Sequence, residues 1–592
     1  MTEPAASTLC EAFQRTAIRL RDRVALRTPG DGQSITWGEY ARRVESIAAG
    51  LANLGVGHGD TVALMLTNRP EFHLVDAAAM HLGAVPFSIY NTNPPETIAY
   101  LLGNAGSRVV ITEPQFLPQL TAAMAAGGPV EHVVLVDGSA PEAATLAQVE
   151  RNPLPDFDFE ASWRAVEASD VLTMIYTSGT TGTPKGVELT HANIVANIDG
   201  AREVVTPGIG HRLVSYLPDA HIVNRWACHY FPMVDGSVVT DLANPREIVT
   251  ALTDVRPTAF VAVPQIWYKI KSAIDAQLAA EPSPIKKTLG NWAVAIGRDK
   301  ARAETTGGSV SPLLAAQYLV ADRLVLSRIR ATLGLDQLIA GATGAAPIAR
   351  EAHEFVLGLG LPISEVFGMS ELSAIATINR RGKMRLGTVG TPGLGVQVAL
   401  ADDGELLVRG PIVMKGYRND PVKTAEAVDA DGWMHTGDIA TIDADGYVSI
   451  VDRKKELIIN SGGKNMSPSK IEGLVKVACP LVGSVVAIGD NKPYVTALIT
   501  LEPDTAAAYA DRHGLNPAPA VLAADPGVIA AIDAGVREAN TKLARVEQVK
   551  KFTVLPVTWE PGSAELTPTM KLKRKPIAEK YAHDIAALYS GK

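Results

Sequence analysis

Cysteine is scarce in this chain. Of its 592 residues only Cys10, Cys228 and Cys479 carry a thiol, far apart and with no C-x-x-C spacing. That excludes a disulfide framework and a cysteine-built zinc site, and it fits a reducing, cytoplasmic setting. Positive charge is not in excess either. With 55 Lys and Arg against 63 Asp and Glu, a net charge of -8, no global field draws the protein to DNA or RNA, so no nucleic-acid partner is expected. Long apolar runs are missing: the best stretch, residues 74–89, is broken by Asp76, His81 and Pro86, so no transmembrane segment is read. Peripheral membrane contact through an apolar surface stays open. The N-terminus lacks the apolar core of a secretory signal, and Leu9, Phe13, Ala17 and Leu20 instead share one helical face. No Ser/His/Asp triad spacing is legible, which leaves hydrolase chemistry without support.

What is present is the make-up of an ordinary globular enzyme, 47% hydrophobic and 20% charged, in a chain too long for one core. Strand-like runs at 61–66, 84–89, 108–112 and 132–136 alternate with helical stretches such as 94–103, which is α/β layering. The rhythm resumes at 213–217, 237–242 and 258–263. After Ala273 the pattern turns long and helical, punctuated at 282–284 and 307–312, and reads as a helical insertion. Short glycine-punctuated strands between Arg385 and Val451 predict a β subdomain. The polar bridge Asp452-Arg-Lys-Lys-Glu456 then leads into a C-terminal α/β segment. Its last part, from Thr541 onward, holds ten Lys and Arg against five Asp and Glu.

The most informative stretch is Tyr176-Thr-Ser-Gly-Thr-Thr-Gly-Thr-Pro-Lys-Gly186. Glycines let a backbone approach an oxyanion, hydroxyls add donors, and Lys185 adds a charge, so this is phosphate-gripping material. The strand-like Val171-Leu-Thr-Met-Ile175 ahead and the helix start at Thr190-His-Ala-Asn193 predict a loop between strand and helix. Walker A spacing is absent, because proline precedes Lys185 and glycine follows it.

Four more segments suit a nucleotide. Gly341-Ala-Thr-Gly-Ala-Ala-Pro347, after the strand-like Gln337-Leu-Ile-Ala340, has side chains small enough for a flat ring to lie on the backbone. Val366-Phe-Gly-Met-Ser-Glu371 offers an aromatic wall and a carboxylate suited to Mg²⁺. Gly432-Trp-Met-His-Thr-Gly-Asp438 ends a β segment with a carboxylate able to accept from both hydroxyls of a ribose. Leu566-Thr-Pro-Thr-Met-Lys-Leu-Lys-Arg574 clusters cations.

In order and spacing these segments resemble the ANL superfamily of AMP-forming acyl-CoA synthetases, over nearly the whole chain. The resemblance implies an α/β fold: a large N-terminal adenylate-forming domain with a β subdomain (1–452) and a small mobile C-terminal α/β domain (453–592). It implies that Thr177, Ser178, Gly179, Thr180, Thr181, Gly182 and Lys185 grip ATP phosphates, and that Thr180 and Glu371 hold Mg²⁺. Gly344, Ala345, Ala346 and Pro347 with Phe367, Gly368 and Ser370 would form the adenine pocket, Asp438 and Arg453 the ribose contacts. Lys571 would be the catalytic lysine, Lys455 the hinge, and Gly462, Gly463 and Lys464 the group that reaches the coenzyme A thioester site. His221 would place the acyl carboxylate, with a buried histidine of no catalytic part as the competing account.

The segments 321–334 and 566–574 are similar to the long-chain fatty acyl branch. The implied reaction is ATP-dependent conversion of a long-chain fatty acid to acyl-AMP, then transfer to coenzyme A with release of AMP and pyrophosphate. The other readings are an acyl-AMP ligase serving a carrier protein, a CoA ligase for another bulky apolar acid, and a silent nucleotide- or acyl-binding protein. Three departures stand out. The family's P-L-A-H-x-x-E-R is Pro218-Asp-Ala-His-Ile-Val-Asn-Arg225, Phe367 replaces the commoner tyrosine, and Gln265 stands where V-P-R has arginine. Trp226, Tyr230 and Phe231 fit core packing and an acyl tunnel equally well.

Overall fold

Runs of branched apolar residues too short for helices become buried parallel strands here, because both sheet faces are covered. In the computed structural model, which describes residues 6–30, 32–177, 183–202, 210–461, 464–567 and 570–590, Thr61–Met65 lies inside a five-stranded sheet. Its neighbours are Val85–Ser88 and Val109–Thr112, with His132–Leu135 and Ala144–Thr145 beyond, all parallel. A second sheet orders Ala259–Ala262, Ala340–Thr343 and Ile363–Phe367 in parallel and continues antiparallel through Thr377–Ile378 and Thr391–Pro392. A third joins Arg212–Ser215, Val238–Asp241 and Val24–Arg27, closed by the antiparallel edge Ser34–Thr36. The N-terminal helix Leu9–Arg19 buries Leu9, Phe13 and Ala17 as its spacing predicts.

The glycine-rich region is antiparallel: Gln397–Leu400, Glu405–Arg409, Met434–Ile442 and Val448–Arg453 in that order. After it, Val482–Ile488 and Val495–Leu501 pair antiparallel and Val549–Val554 adds in parallel. The helices Pro468–Ala478 and Pro526–Thr541 give this last sheet its own core through Ile471, Val475, Ile532 and Val536. A segment with a core of its own can move as a unit. The helical insertion comprises Pro264–Ala280, Pro284–Thr305 and Pro312–Ala321, the last two capped by Ser283 and Ser311. It starts at Pro264, earlier than the reading after Ala273, since proline suits a first helical turn. Among the described residues no helix is long and apolar enough to cross a membrane.

Two local expectations are corrected. The phosphate-gripping segment is not followed directly by a helix: Lys185–Thr190 is a strand that pairs antiparallel with Val171–Thr177 in a hairpin. Thr190 is the last residue of the returning strand and also caps helix His191–Ala201 in a reciprocal box with Asn193. The hairpin hid because Lys185-Gly-Val-Glu-Leu-Thr190 alternates only weakly. The strand read at 337–340 is Ala340–Thr343 instead, so the small residues Gly341 and Ala342 are strand residues. A Cβ on Gly341 would come within 2.4 Å of Ile363 Cδ1, so the smallness serves strand packing.

Candidate active site

The carboxyl ends of the second sheet, the hairpin, the β subdomain and the C-terminal segment border one continuous cleft of about 3750 Å³. That exceeds an ordinary small-molecule pocket, which rarely passes ~1,000 Å³, so it has room for a nucleotide, an organic acid and a gap between two moving parts.

At one end Thr177 faces Lys185 across the hairpin ladder, and both line the cleft. The Lys185 ammonium sits 4.0 Å from the Tyr417 ring centroid. Tyr417 donates its hydroxyl to Glu371 Oε1 at 2.8 Å. Glu371 is buried on the 3₁₀ turn Ser370–Leu372 and lines the cleft with Ser370. Loss of hydration lowers the Lys185 pKa, with Glu371 opposing and the cations Lys423 and Lys455 assisting. Ser178, Gly179, Thr180, Thr181 and Gly182, expected at this end, lie outside the described residues.

Further along, Gly344, Ala345, Ala346 and Pro347 line the cleft together with Phe367 and Gly368. Gly368 tolerates no side chain, since a Cβ would fall 1.8 Å from the Ala374 carbonyl oxygen. Asp438 is buried at 4% exposure. Its Oδ1 accepts from Arg453 Nε at 2.9 Å, across a ladder that sets Asp438 opposite Arg453. Its Oδ2 is buried with no partner. A buried carboxylate oxygen without a donor costs free energy unless a ligand supplies one. Burial pushes the Asp438 carboxyl up to about 6, against the pull of Arg453 and Lys571.

Lys571 enters from the C-terminal segment. It is held in a turn by Thr567, whose Oγ1 accepts from the Lys571 N–H at 2.9 Å and whose own N–H donates to the Lys571 carbonyl at 2.8 Å. Its side chain is exposed and lines the cleft. Dehydration lowers its pKa first, then repulsion from Arg453; Asp438, Glu371 and Glu456 oppose. The openness to the cleft limits the first effect. Of the other cations clustered in its segment, Arg574 is tied to Glu456 and Glu472, and Lys573 donates to the Ser563 carbonyl.

At the acid end, Asp219 and Gln265, two of the departures from the family pattern, line the cleft with His221. His221 accepts from the Val223 N–H at Nδ1 (3.2 Å), and burial, aided by Lys571, lowers its pKa to about 3, so the ring is neutral. Asp219 lines the cleft beside it, buried, with Oδ1 held by Asn224 and Oδ2 without a partner. Burial raises Asp219 to about 7. Behind lies a fully buried chain in which Asp241 meets His73, His73 meets His229, and His229 meets Asp76, which also holds Arg225. Beyond His221 the wall turns apolar with Trp226, Ile248, Leu252, Ile266 and Ile270. Trp226 is thus a lining residue, while Tyr230 and Phe231 are core residues away from the lining, Tyr230 accepting from Arg225. Gln265, the third departure, also lines the cleft.

Lys455 lines the cleft at the base of the C-terminal segment. Lys464 is an exception: it is exposed in the turn of the ribbon Ile458–Ile459 and Asn465–Met466, its N–H bound to Asn460, and is not among the residues lining the cleft. Gly462 and Gly463 lie outside the described residues. Sequence reasoning missed Tyr417 and the buried chain behind Asp219. Asp76 and His81 had interrupted an apolar run, and a charge inside such a run was the available signal.

Residues 13–418 match the family described as AMP-binding enzyme, and residues 455–592 match the AMP-binding enzyme C-terminal domain. A Mycobacterium tuberculosis protein provisionally named fatty-acid–CoA ligase fadD11 is 52% identical over 434 residues, 73% of this chain and 76% of that protein. Long-chain-fatty-acid–CoA ligase FadD15 of Mycobacterium bovis is 36% identical over 94% of this chain and 92% of its own. Among solved structures, the adenylation domain of a carboxylate reductase from Mycobacterium chelonae superposes with a TM-score of 0.78 at 20% identity, covering 100% of this chain and 92% of that one. The anthranilate CoA ligase AuaEII with anthranoyl-AMP gives 0.75 at 19% identity, covering 99% of each.

Proposed function

Since this chain belongs to the AMP-binding enzyme family, we propose that it activates a long-chain fatty acid with ATP to an acyl-adenylate and passes the acyl group to coenzyme A. The observation that carries this reading is the convergence of Lys185, Glu371, Asp438, Arg453 and Lys571 on one cleft whose far wall, past His221, is apolar. A carboxylate repels nucleophiles and would have to expel oxide, so it needs an activated leaving group. Its oxygen attacks the α-phosphorus, a phosphorus–oxygen bond forms, and pyrophosphate leaves with the broken bond's electrons. Lys571 and Lys185 meet the charge growing on phosphoryl oxygens. Asp438 Oδ2 has the free acceptor a ribose hydroxyl would fill, and neutral His221 can orient the carboxylate without neutralising it. In the second half the thiol sulfur of coenzyme A attacks the acyl carbon, loses its proton, and AMP departs. Lys571 is then in the way, and its place on a segment with a separate core supports a rotation about Lys455 with 453–592 as the moving unit.

Glu371 suits Mg²⁺ as a hard oxygen ligand, but among the described residues no cluster of three metal-binding side chains exists. The ion would therefore be shared with nucleotide phosphates and Thr180, where it would neutralise their charge. The three cysteines are free and buried, which supports a reducing cytoplasmic setting. The test is incubation with ATP, Mg²⁺, coenzyme A and free acids of graded length, with pyrophosphate release and acyl-CoA mass followed together. Acyl-CoA of long-chain acids is expected. Pyrophosphate with no thioester would favour delivery to a carrier protein, and neither product would refute the enzymatic reading.

A further inference from the structure

A surface helix ordinarily turns polar residues outward, but the last helical run of the insertion does the reverse. From Pro312 the chain runs helically through Ala321, a π-helical segment Asp322–Leu326 and Ser327–Thr332. Its inner side is used by the core: Ala321 and Leu326 are fully buried, with Tyr318, Val325 and Ile329 against the same cluster. Its outer side carries Leu313, Leu319, Val320 and Leu324 at 69%, 70%, 51% and 44% exposure. Residues 313, 316, 320 and 324 follow three- and four-residue steps with 319 and 323 beside them, so they form one stripe. A lone exposed leucine needs no explanation; a continuous stripe does.

The unpaired charges on this run are of one sign. Arg323 and Arg328 are exposed, and neither is engaged by an acid among the described residues. Asp322, the only acid between 312 and 332, is held by Arg330. A second copy meeting this stripe with its own stripe would bring the same cations together with no free acid between them. An anionic bilayer is complementary on both counts: acyl chains receive the leucines, and phosphates meet the arginines. The next residue, Leu333, lines the cleft, and Gly334 packs on the Leu252 carbonyl. The helix therefore ends in the wall beside Leu252.

We propose that residues 312–332 form a docking face that lays the protein on anionic membrane surfaces, with Leu313, Leu319, Val320 and Leu324 inserted and Arg323 and Arg328 at the phosphates. Docking stands on this surface alone; a role in collecting membrane-dissolved acid rests on the proposed reaction. The test is cosedimentation of the full chain with vesicles of phosphatidylcholine, and with vesicles containing about one third phosphatidylglycerol, alongside light-scattering mass in solution. Binding to the anionic vesicles is expected, with Leu319→Asp plus Val320→Asp lowering it at least ~10-fold. Arg323→Glu plus Arg328→Glu should lower it about 25-fold, roughly fivefold per arginine. No binding to anionic vesicles, equal binding by all variants, or a dimer that the leucine changes convert to monomer would overturn the proposal. Activity on a short soluble acid should be the same in every variant. If the protein makes no acyl-CoA but still binds vesicles through the stripe, the reaction fails and the docking face stands.

Discussion

Two groups of charged residues border the same cleft and are built on opposite terms. Behind the acid end, Asp76, Arg225, His229 and His73 are completely buried and bonded to one another, with Arg225 also donating to the Asp219 carbonyl and to Ser88. At the ribose end, Asp438, Arg453 and Lys571 are incompletely matched: one Asp438 oxygen has no donor, Arg453 is 45% exposed along its side chain, and Lys571 opens to the cleft. The first group is bonded internally, with only the Asp241 Oδ2 at the end of its chain left without a partner among the described residues, and acts as framework. The second has capacity that only a ligand can use.

Breaking the framework should have the largest effect. Arg225→Met strips Asp76 of its buried cation, and loss of one partner of a buried pair costs about 3–5 kcal/mol; the melting temperature is expected to fall sharply, measured by calorimetry. An unchanged melting temperature would erase the distinction between the two groups. Lys571→Ala touches only the second group. It should leave the melting temperature in place while slowing pyrophosphate release by on the order of 100-fold, the scale of one lost transition-state donor. Thioester formation from supplied acyl-AMP should suffer less, and equal loss in both steps would contradict a lysine that serves only adenylation.

Tyr417→Phe sharpens the comparison at the phosphate end. It removes the hydroxyl from Glu371 but keeps the ring under Lys185. A hydrogen bond to a charged group is worth about 1.5–3 kcal/mol, so kcat/KM for ATP should drop at least ~10-fold; an unaltered value would make the contact incidental. The smallest effect is a pH dependence. Asp438, raised to about 6 by burial, is ionised above that pH and takes up a proton as pH falls through it. A protonated carboxyl is a poorer acceptor, so KM for ATP should rise about tenfold from pH 7 to pH 5. The same raised value means that protonation favours the folded state, so the weakening cannot be ascribed to unfolding of this group. The bend should vanish in Asp438→Asn, and its persistence there would assign it elsewhere.

Much of the fold was legible because it is locally encoded. The parallel strands at 61–65 and 109–112, the Thr190 cap and the proline-led helices of the insertion all follow from residues within one turn or one strand. The hairpin Val171–Thr177 and Lys185–Thr190 was not, because its second strand owes its state to a partner strand on each side, including Gly416–Tyr417. Lys571 and Asp438 could be named from their motifs. Tyr417 could not, since its meaning comes from Glu371, 46 residues away.

The sequence by itself determined which chemical groups are available and the order of strands and helices that carry them, since propensity, capping and hydrophobic period act over a few residues. Tertiary structure alone decided the state of those groups. Arg225 meets Asp76 across 149 residues, and the cationic partners Arg225 and His229, not residue type, hold buried Asp76 low while burial takes Asp219 up to about 7. Ionisation and hydrogen-bond satisfaction depend on surrounding protein and water, and those surroundings exist only once the chain has closed around them.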